Sequence, residues 1–239
     1  MNLYFFFLES FILSSLLYNF VWEVKTMVKI FNYENDSKEF AANTYIIGKI
    51  NGDCVVIDMG STDEKIYEYI DAHYEKVEAV LLTHAHFDHI RGLSKFIRHY
   101  KNKYDIPVYL SGEDEELLKD PHLNSSLMMN EKVQISIATL PVNDGDELKL
   151  KNFRIQVIHT PFHTKGSVCY LFDDDNALFT GDTLFKGSIG RTDLPSSEPE
   201  KVEESLNKLK NLRDTLVVYP GHGPISRLEI EKETNTFFK

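Results

Sequence analysis

The chain has 239 residues, 42% hydrophobic and 26% charged, which suits one large globular core without disulfide or metal staples. Its formal net charge of −11 repels phosphate backbones, so nucleic acid is not the expected partner. The two cysteines, Cys54 and Cys169, lie inside apolar runs. They exclude a disulfide scaffold and read as small buried core residues of a cytoplasmic protein.

The chain opens with MNLYFFFLESFILSSLLYNFVW, a greasy segment of about membrane-spanning length. Glu9, Ser10, Ser14, Ser15 and Asn19 interrupt it, and no Lys or Arg precedes Lys25, unlike the basic start of a secretory signal. Met27 begins MVKIF, which looks like a natural chain start. Residues 1–26 therefore read as an extension outside the working fold, with membrane contact only if that segment is functional. Residues 27–239 read as the functional domain.

YIIGKI and CVVIDMG, joined through Asn51-Gly52, predict a hairpin. Ser61 with Glu64 forms a capping-box pattern, and Ile66, Tyr69 and Ile70 give the apolar stripe of a helix near 62–74. EAVLLT predicts a short buried strand, IRGLSKFIRHY a helix, and VYL at 108–110 another strand. Residues 111–130 fit no regular element. VQISIATL and ELKLKNFRIQVIHT predict strands, with Asn143-Asp144-Gly145 as a turn, and SVCYLF and NALFTGD predict a hairpin. Pro199 starts a helix carrying Val202, Leu206, Leu209 and Leu212, and TLVVYPGHG is a final strand running into a loop. The pattern is that of one α/β domain.

The histidine cluster at 83–89, GD at 181–182 and GHG at 221–223 all follow strand-like runs, where open α/β folds place their sites. THAHFDH, residues 83–89, packs three histidines and an aspartate into seven residues. His84 and His86 point the same way in extended chain, and Asp88 and His89 follow where the chain turns into a helix. One tight loop can thus present two ligand sets, of a kind that suits zinc, iron or manganese. HTPFHTKGS (with His163), FTGDTLF (with Asp182) and YPGHGP (with His222 between glycines) can complete the coordination.

In this order the motifs resemble the metallo-β-lactamase-fold hydrolases, most closely the glyoxalase II (hydroxyacylglutathione hydrolase) group and its short bacterial-type relatives. The resemblance covers about residues 28–225. It implies a four-layer αββα sandwich with a dinuclear metal site on one edge. By motif, His84, His86 and His163 would bind the first metal and Asp88, His89 and His222 the second, with Asp182 bridging both. Zinc is the expected metal, with iron or manganese as alternatives. Asp88 and Asp182 are the expected catalytic carboxylates. Asp58, ending CVVID, would orient a ligand histidine. Arg191, in GSIGRTDLP, would pair with a substrate carboxylate. Phe162 stands where the family usually has glycine, which predicts a reshaped or narrowed pocket. His159 matches no ligand position and reads as structural, while His73, His99 and His122 read as surface residues.

The resemblance implies a small-molecule acyl thioester as substrate, S-lactoylglutathione for example, attacked by a hydroxide shared between the two metals. Only 17 residues follow His222, so the helical domain by which full-length glyoxalase II proteins grip glutathione is expected to be missing. Two alternatives within the superfamily are a mononuclear-iron persulfide dioxygenase and a phosphodiesterase or ribonuclease. Retention of Asp182, which the β-lactamases commonly replace, ranks lactam cleavage low. No sequence feature specifies an oligomeric state.

Overall fold

A computed structural model describes residues 28–33 and 42–238. The extension at 1–26 lies outside the described residues. Among the described residues, no helix is long and apolar enough to cross a membrane.

Two six-stranded mixed sheets carry the fold. In the first the order is β1 (Val28–Tyr33), β2 (Thr44–Lys49), β3 (Asp53–Ile57), β4 (Lys76–Leu81), β5 (Val108–Ser111) and β6 (Leu140–Val142). In the second it is β14 (Ser226–Arg227), β13 (Val217–Pro220), β10 (Ala177–Gly181), β9 (Val168–Phe172), β8 (Phe153–His159) and β7 (Glu147–Leu150). β11 (Leu184–Phe185) and β12 (Ser188–Ile189) form a separate small hairpin. The helices are α1 (Lys65–His73), α2 (Phe87–Ile90), α3 (Leu93–Tyr100), α4 (Val202–Lys210) and α5 (Leu228–Thr234).

Side-chain alternation along the strands builds the layers. On β2, Tyr45 and Ile47 face the second sheet while Ile46 faces the helices. On β10, Ala177 and Phe179 face inward and Leu178 faces out. The result is three cores. One joins α1 and α3 to the first sheet through Ile66, Ile70, Leu93 and Phe96. The second lies between the sheets. The third packs Leu206, Leu209 and Leu228 of α4 and α5 on the outside of the second sheet. Three cores between four layers are the expected αββα sandwich, and each fully buried Leu, Ile or Phe contributes roughly 1.5–3 kcal/mol.

Both expected hairpins are present, β2–β3 and β9–β10, and Asn51 takes the left-handed φ of 60° that its turn requires. Cys54 and Cys169 are free and buried.

Three local expectations change. α1 begins at Lys65, not near 62, because Ser61 and Asp63 spend their side chains on short turns with the amides of Asp63 and Lys65. Glu64 makes no cap, so the capping box does not form. IRGLSKFIRHY does not run as one helix: the chain turns at 91–92, between α2 and α3. VQISIA is not a strand. Its alternation is real, with Ile135 buried and Val133 and Ile137 partly so, but these residues pack on the first helical core, and only Leu140–Val142 joins a ladder. A period of two reports alternating burial, and a helix layer can supply that as well as a sheet.

Candidate metal centre

Strand direction places the site. β3 and β4 are parallel, as are β10 and β13, and β8 runs with β10 because each is antiparallel to β9. The segments leaving these strands therefore gather on one edge of the sandwich. The Thr83 carbonyl accepts from the Val168 amide at 2.8 Å, and the Leu82 carbonyl from the Tyr170 hydroxyl at 2.9 Å, tying the two sheets together there. A bulge between Phe179 and Gly181 turns Asp182 into the edge. Gly181 has φ +46°, and a Cβ on it would lie 2.3 Å from Thr83 Oγ1. A Cβ on Gly221 would lie 2.3 Å from Asp182 Oδ1, so glycine next to His222 lets that loop approach the centre.

All seven side chains expected at a metal site converge here. Ligand atoms fall into three groups, each within 4.8 Å: His84, His86 and His163; His84, His89 and Asp182; Asp88, His89 and His222. His86 Nδ1 lies 2.8 Å from His163 Nε2. Asp182 Oδ1 lies 3.2 Å from His89 Nε2, and its Oδ2 lies 3.4 Å from His163 Nε2 and 3.6 Å from His222 Nε2. Asp88 Oδ2 is 3.1 Å from His222 Nε2. His84, His89 and His163 are buried, and His222 stands at the mouth with its side chain 31% exposed.

The outward nitrogens decide what the inward ones can do. His163 Nδ1 donates to the Arg191 carbonyl at 2.9 Å, and His89 Nδ1 donates to Asp58 Oδ2 at 2.8 Å. The Thr83 hydroxyl donates to Asp58 Oδ2 at 2.8 Å, so its oxygen accepts from His84 Nδ1 at 3.1 Å. Each ring carries its proton on the outside, leaving a bare Nε2 lone pair on the inside. His86 is turned the other way, with Nε2 on the Ser196 hydroxyl at 2.9 Å and Nδ1 inward. His84 Nε2, His89 Nε2 and Asp182 Oδ1 are buried without a hydrogen-bond partner. Although His89 Nε2 and Asp182 Oδ1 are only 3.2 Å apart, both are acceptors once Nδ1 holds the proton. Buried acceptors facing each other are costly unless a cation or a second imidazole proton lies between them, and with the inward nitrogens of several rings converging on Asp182 these residues fit a metal pair.

Electrostatics divide the cluster. Burial, with neighbouring histidines, holds His84 well below its ordinary range and His86 at about 3. Burial also opposes charge on His89 and His222, but carboxylates outweigh it and raise both: Asp58, Asp182 and Asp88 for His89, Asp182 and Asp88 for His222. For Asp88 and Asp182 burial favours the neutral acid, yet the histidines beside them keep both below the usual range.

Asp58 sits as expected and does more than orient one ring. With φ 53° it turns back so that Oδ1 accepts the Thr83 amide at 2.8 Å while Oδ2 serves His89 and Thr83. Two residues escaped the sequence reading. Asp114, fully buried in the segment left unassigned, accepts from the Ala85 amide at 3.0 Å, the Thr164 hydroxyl at 2.8 Å and the Gly166 amide at 2.8 Å. It clamps the 84–89 loop to the loop carrying His163. Ser196 carries no motif signal at all.

Phe162 does not narrow the pocket: it is fully buried in the outer core with Leu206 and Leu209. The Arg191 guanidinium is exposed at the rim and makes a bidentate pair with Asp193, at 2.7 and 2.8 Å. His159 bonds the Lys165 carbonyl at 2.7 Å, away from the centre. His99 and His122 are exposed and His73 is half-buried.

The model of the metallo-β-lactamase superfamily matches residues 38–222. The chain belongs to this superfamily. A probable metallo-hydrolase, YqgX of Bacillus subtilis, is 38% identical over 202 residues, covering 82% of this chain and 92% of that protein. The hydroxyacylglutathione hydrolase GloC of Haemophilus influenzae is 31% identical over 203 residues, covering 83% and 93%. Among solved structures, the BLEG-1 B3 metallo-β-lactamase superposes with a TM-score of 0.79 at 32% identity, covering 89% of this chain and all of that one. TTHA1623 in a di-iron-bound form gives 0.74 at 31%, covering 87% and 99%. The chain thus has the metallo-β-lactamase fold and, within a superfamily of metallo-hydrolases, its own His/Asp cluster.

Proposed function

We propose that this protein hydrolyses acyl thioesters, hydroxyacyl thioesters such as S-lactoylglutathione among them, using two divalent transition-metal ions, zinc first. His84, His86 and His163 would hold one ion, Asp88, His89 and His222 the other, and Asp182 both. The reading rests on the set of buried, inward-facing lone pairs whose outward partners are already satisfied. When bound, such a metal pair lowers the pKa of a shared water towards ~7 and polarises a carbonyl.

The chain's own residues orient and exclude. Asp58, Thr83 and the Arg191 carbonyl hold their rings in one tautomer, and Ser196 orients His86. Asp88 lines the cavity and is kept ionised by its histidine neighbours. It takes the proton of the attacking water and passes it to the departing sulfur. One water is added across the C–S bond: the acyl carbon gains hydroxyl and leaves as a carboxylic acid, and sulfur takes the bonding pair and a proton. A thiol of pKa ~8.5 departs without a strong acid, whereas an amine leaving group needs one. Arg191 at the rim is suited to a carboxylate on the substrate.

Elemental analysis of the purified protein, paired with thiol release from S-lactoylglutathione and simpler thioesters, tests the reading. Close to two ions per chain and thiol release are expected. Protein that loads metal yet releases no thiol, or that opens a β-lactam faster than any thioester, overturns it. Oxygen consumption with a persulfide, dependent on a single iron, would favour the dioxygenase alternative.

A further inference from the structure

The cavity over the centre, about 640 Å³, has two unlike walls. One is the β11–β12 hairpin and the chain after it, which contribute Phe185, Ile189 and Leu194. This wall is pinned from behind. Glu231, fully buried on α5, accepts from the Gly187 amide at 2.8 Å and from the Ser226 hydroxyl. Asn235, one turn further on, donates to the Ser188 carbonyl at 3.1 Å and to Glu231 Oε2 at 3.0 Å. A buried carboxylate and amide thus fix the height and tilt of the hairpin.

The other wall is a short 3₁₀ turn, Ser126–Met129, which contributes Met128 and Met129 to the lining. Met128 is 59% exposed beside a polar, partly buried centre. Methionine is unbranched and adapts its shape to what it covers. An apolar side chain held open at the mouth of a cavity gains from being covered by an apolar ligand.

Charge points the same way. Among the described residues lining the cavity, Arg191 is the single Lys or Arg, and its guanidinium is already matched by Asp193. Beyond the metal centre itself, the cavity can receive one carboxylate by exchange with Asp193, but its lining has no second Lys or Arg for another.

We infer that the cavity favours thioesters that carry an apolar chain of several carbons on one side of the scissile bond and at most one carboxylate over S-lactoylglutathione, which carries two. The chain lies between the fixed wall (Phe185, Ile189, Leu194) and the adaptable one (Met128, Met129). This rests on the thioester reading above and narrows it.

Two substrate series test it on the metal-loaded full chain. In one, the thiol is held constant as N-acetylcysteamine and the acyl group lengthens from acetyl to octanoyl. In the other, the acyl group is acetyl and a linear alkanethiol lengthens. In one of the two series, kcat/KM is expected to rise about two- to fourfold per methylene, the value of burying one CH2, until the cavity is full. A flat or falling dependence in both series overturns the inference. Faster turnover of S-lactoylglutathione than of every apolar thioester also overturns it. Absence of thiol release from all substrates sinks the thioester reading itself, so the two failures are distinguishable.

Met128→Gln, a surface substitution, is expected to flatten the chain-length slope in the responsive series, and Met128→Leu to retain it, at equal metal content. A slope unchanged in Met128→Gln would remove the adaptable wall from the account.

Discussion

Two trios of side chains share Asp182, and they are built differently. His84, His86 and His163 are three imidazoles with a buried setting and no carboxylate of their own. Asp88, His89 and His222 include a carboxylate and reach the cavity mouth through His222. Burial makes His84 and His86 reluctant to take protons, while the carboxylates around His89 and His222 make those two willing. For a cation, the first trio is a deep neutral socket and the second a charged one that protons contest.

The largest effect should come from removing a deep ligand. His86→Ala is expected to lose more than the ~100-fold in metal affinity that outer partners can cost, and with it all thiol release. His222→Ala should retain close to one ion per chain. Metal analysis of the two dialysed variants checks this, and equal loss in both would erase the distinction between the trios.

Asp58→Asn should come next. It weakens the partner of His89 directly and that of His84 through Thr83, so both trios suffer, by about 10–100-fold in metal affinity. Metal titration with a competing chelator measures it.

Asp114→Asn should act on stability more than on charge. An amide cannot accept all three hydrogen bonds, and each buried donor left unpaired costs about 1–3 kcal/mol. Thermal melting of the metal-free protein should show the loss, and an unchanged midpoint would remove Asp114 as a clamp.

Acidification sharpens the comparison further. Raised His89 and His222 bind protons at a higher pH than lowered His84 and His86. As pH falls from neutral, protons therefore displace metal from the second trio first. Metal content measured by dialysis across pH should fall in two steps, and a single step releasing both ions together would break the asymmetry.

The smallest effect belongs to Arg191. Its exposed pair with Asp193 limits what a substrate carboxylate can gain, so Arg191→Ala should raise KM for an anionic thioester by about two- to fivefold and leave a neutral one nearly unchanged. Equal changes for both would argue against a carboxylate contact.

Much of the fold was legible where one physical signal dominates. The short continuous apolar runs of YIIGKI, CVVID, SVCYLF and NALF read as strand because both faces of those strands are buried. Legibility failed where burial came from an unexpected quarter. VQISIA alternates against helices, and Phe162 finds its place in an outer core that no local pattern announces. Asp114 was hidden in an irregular acidic stretch, where nothing local sets one carboxylate apart from its neighbours.

The sequence by itself determined the inventory: four histidines and two carboxylates in a spacing that only metal chemistry readily explains, and one more histidine framed by glycines. The tertiary structure alone decided which nitrogen of each ring faces inward. That choice belongs to hydrogen-bond partners delivered by other segments: Asp58 behind His89, Ser196 behind His86 and the Arg191 carbonyl behind His163. It also decided the character of the cavity, because Met128 and Ile189 come to line one space only after two sheets have stacked and a C-terminal helix has pinned a hairpin from behind.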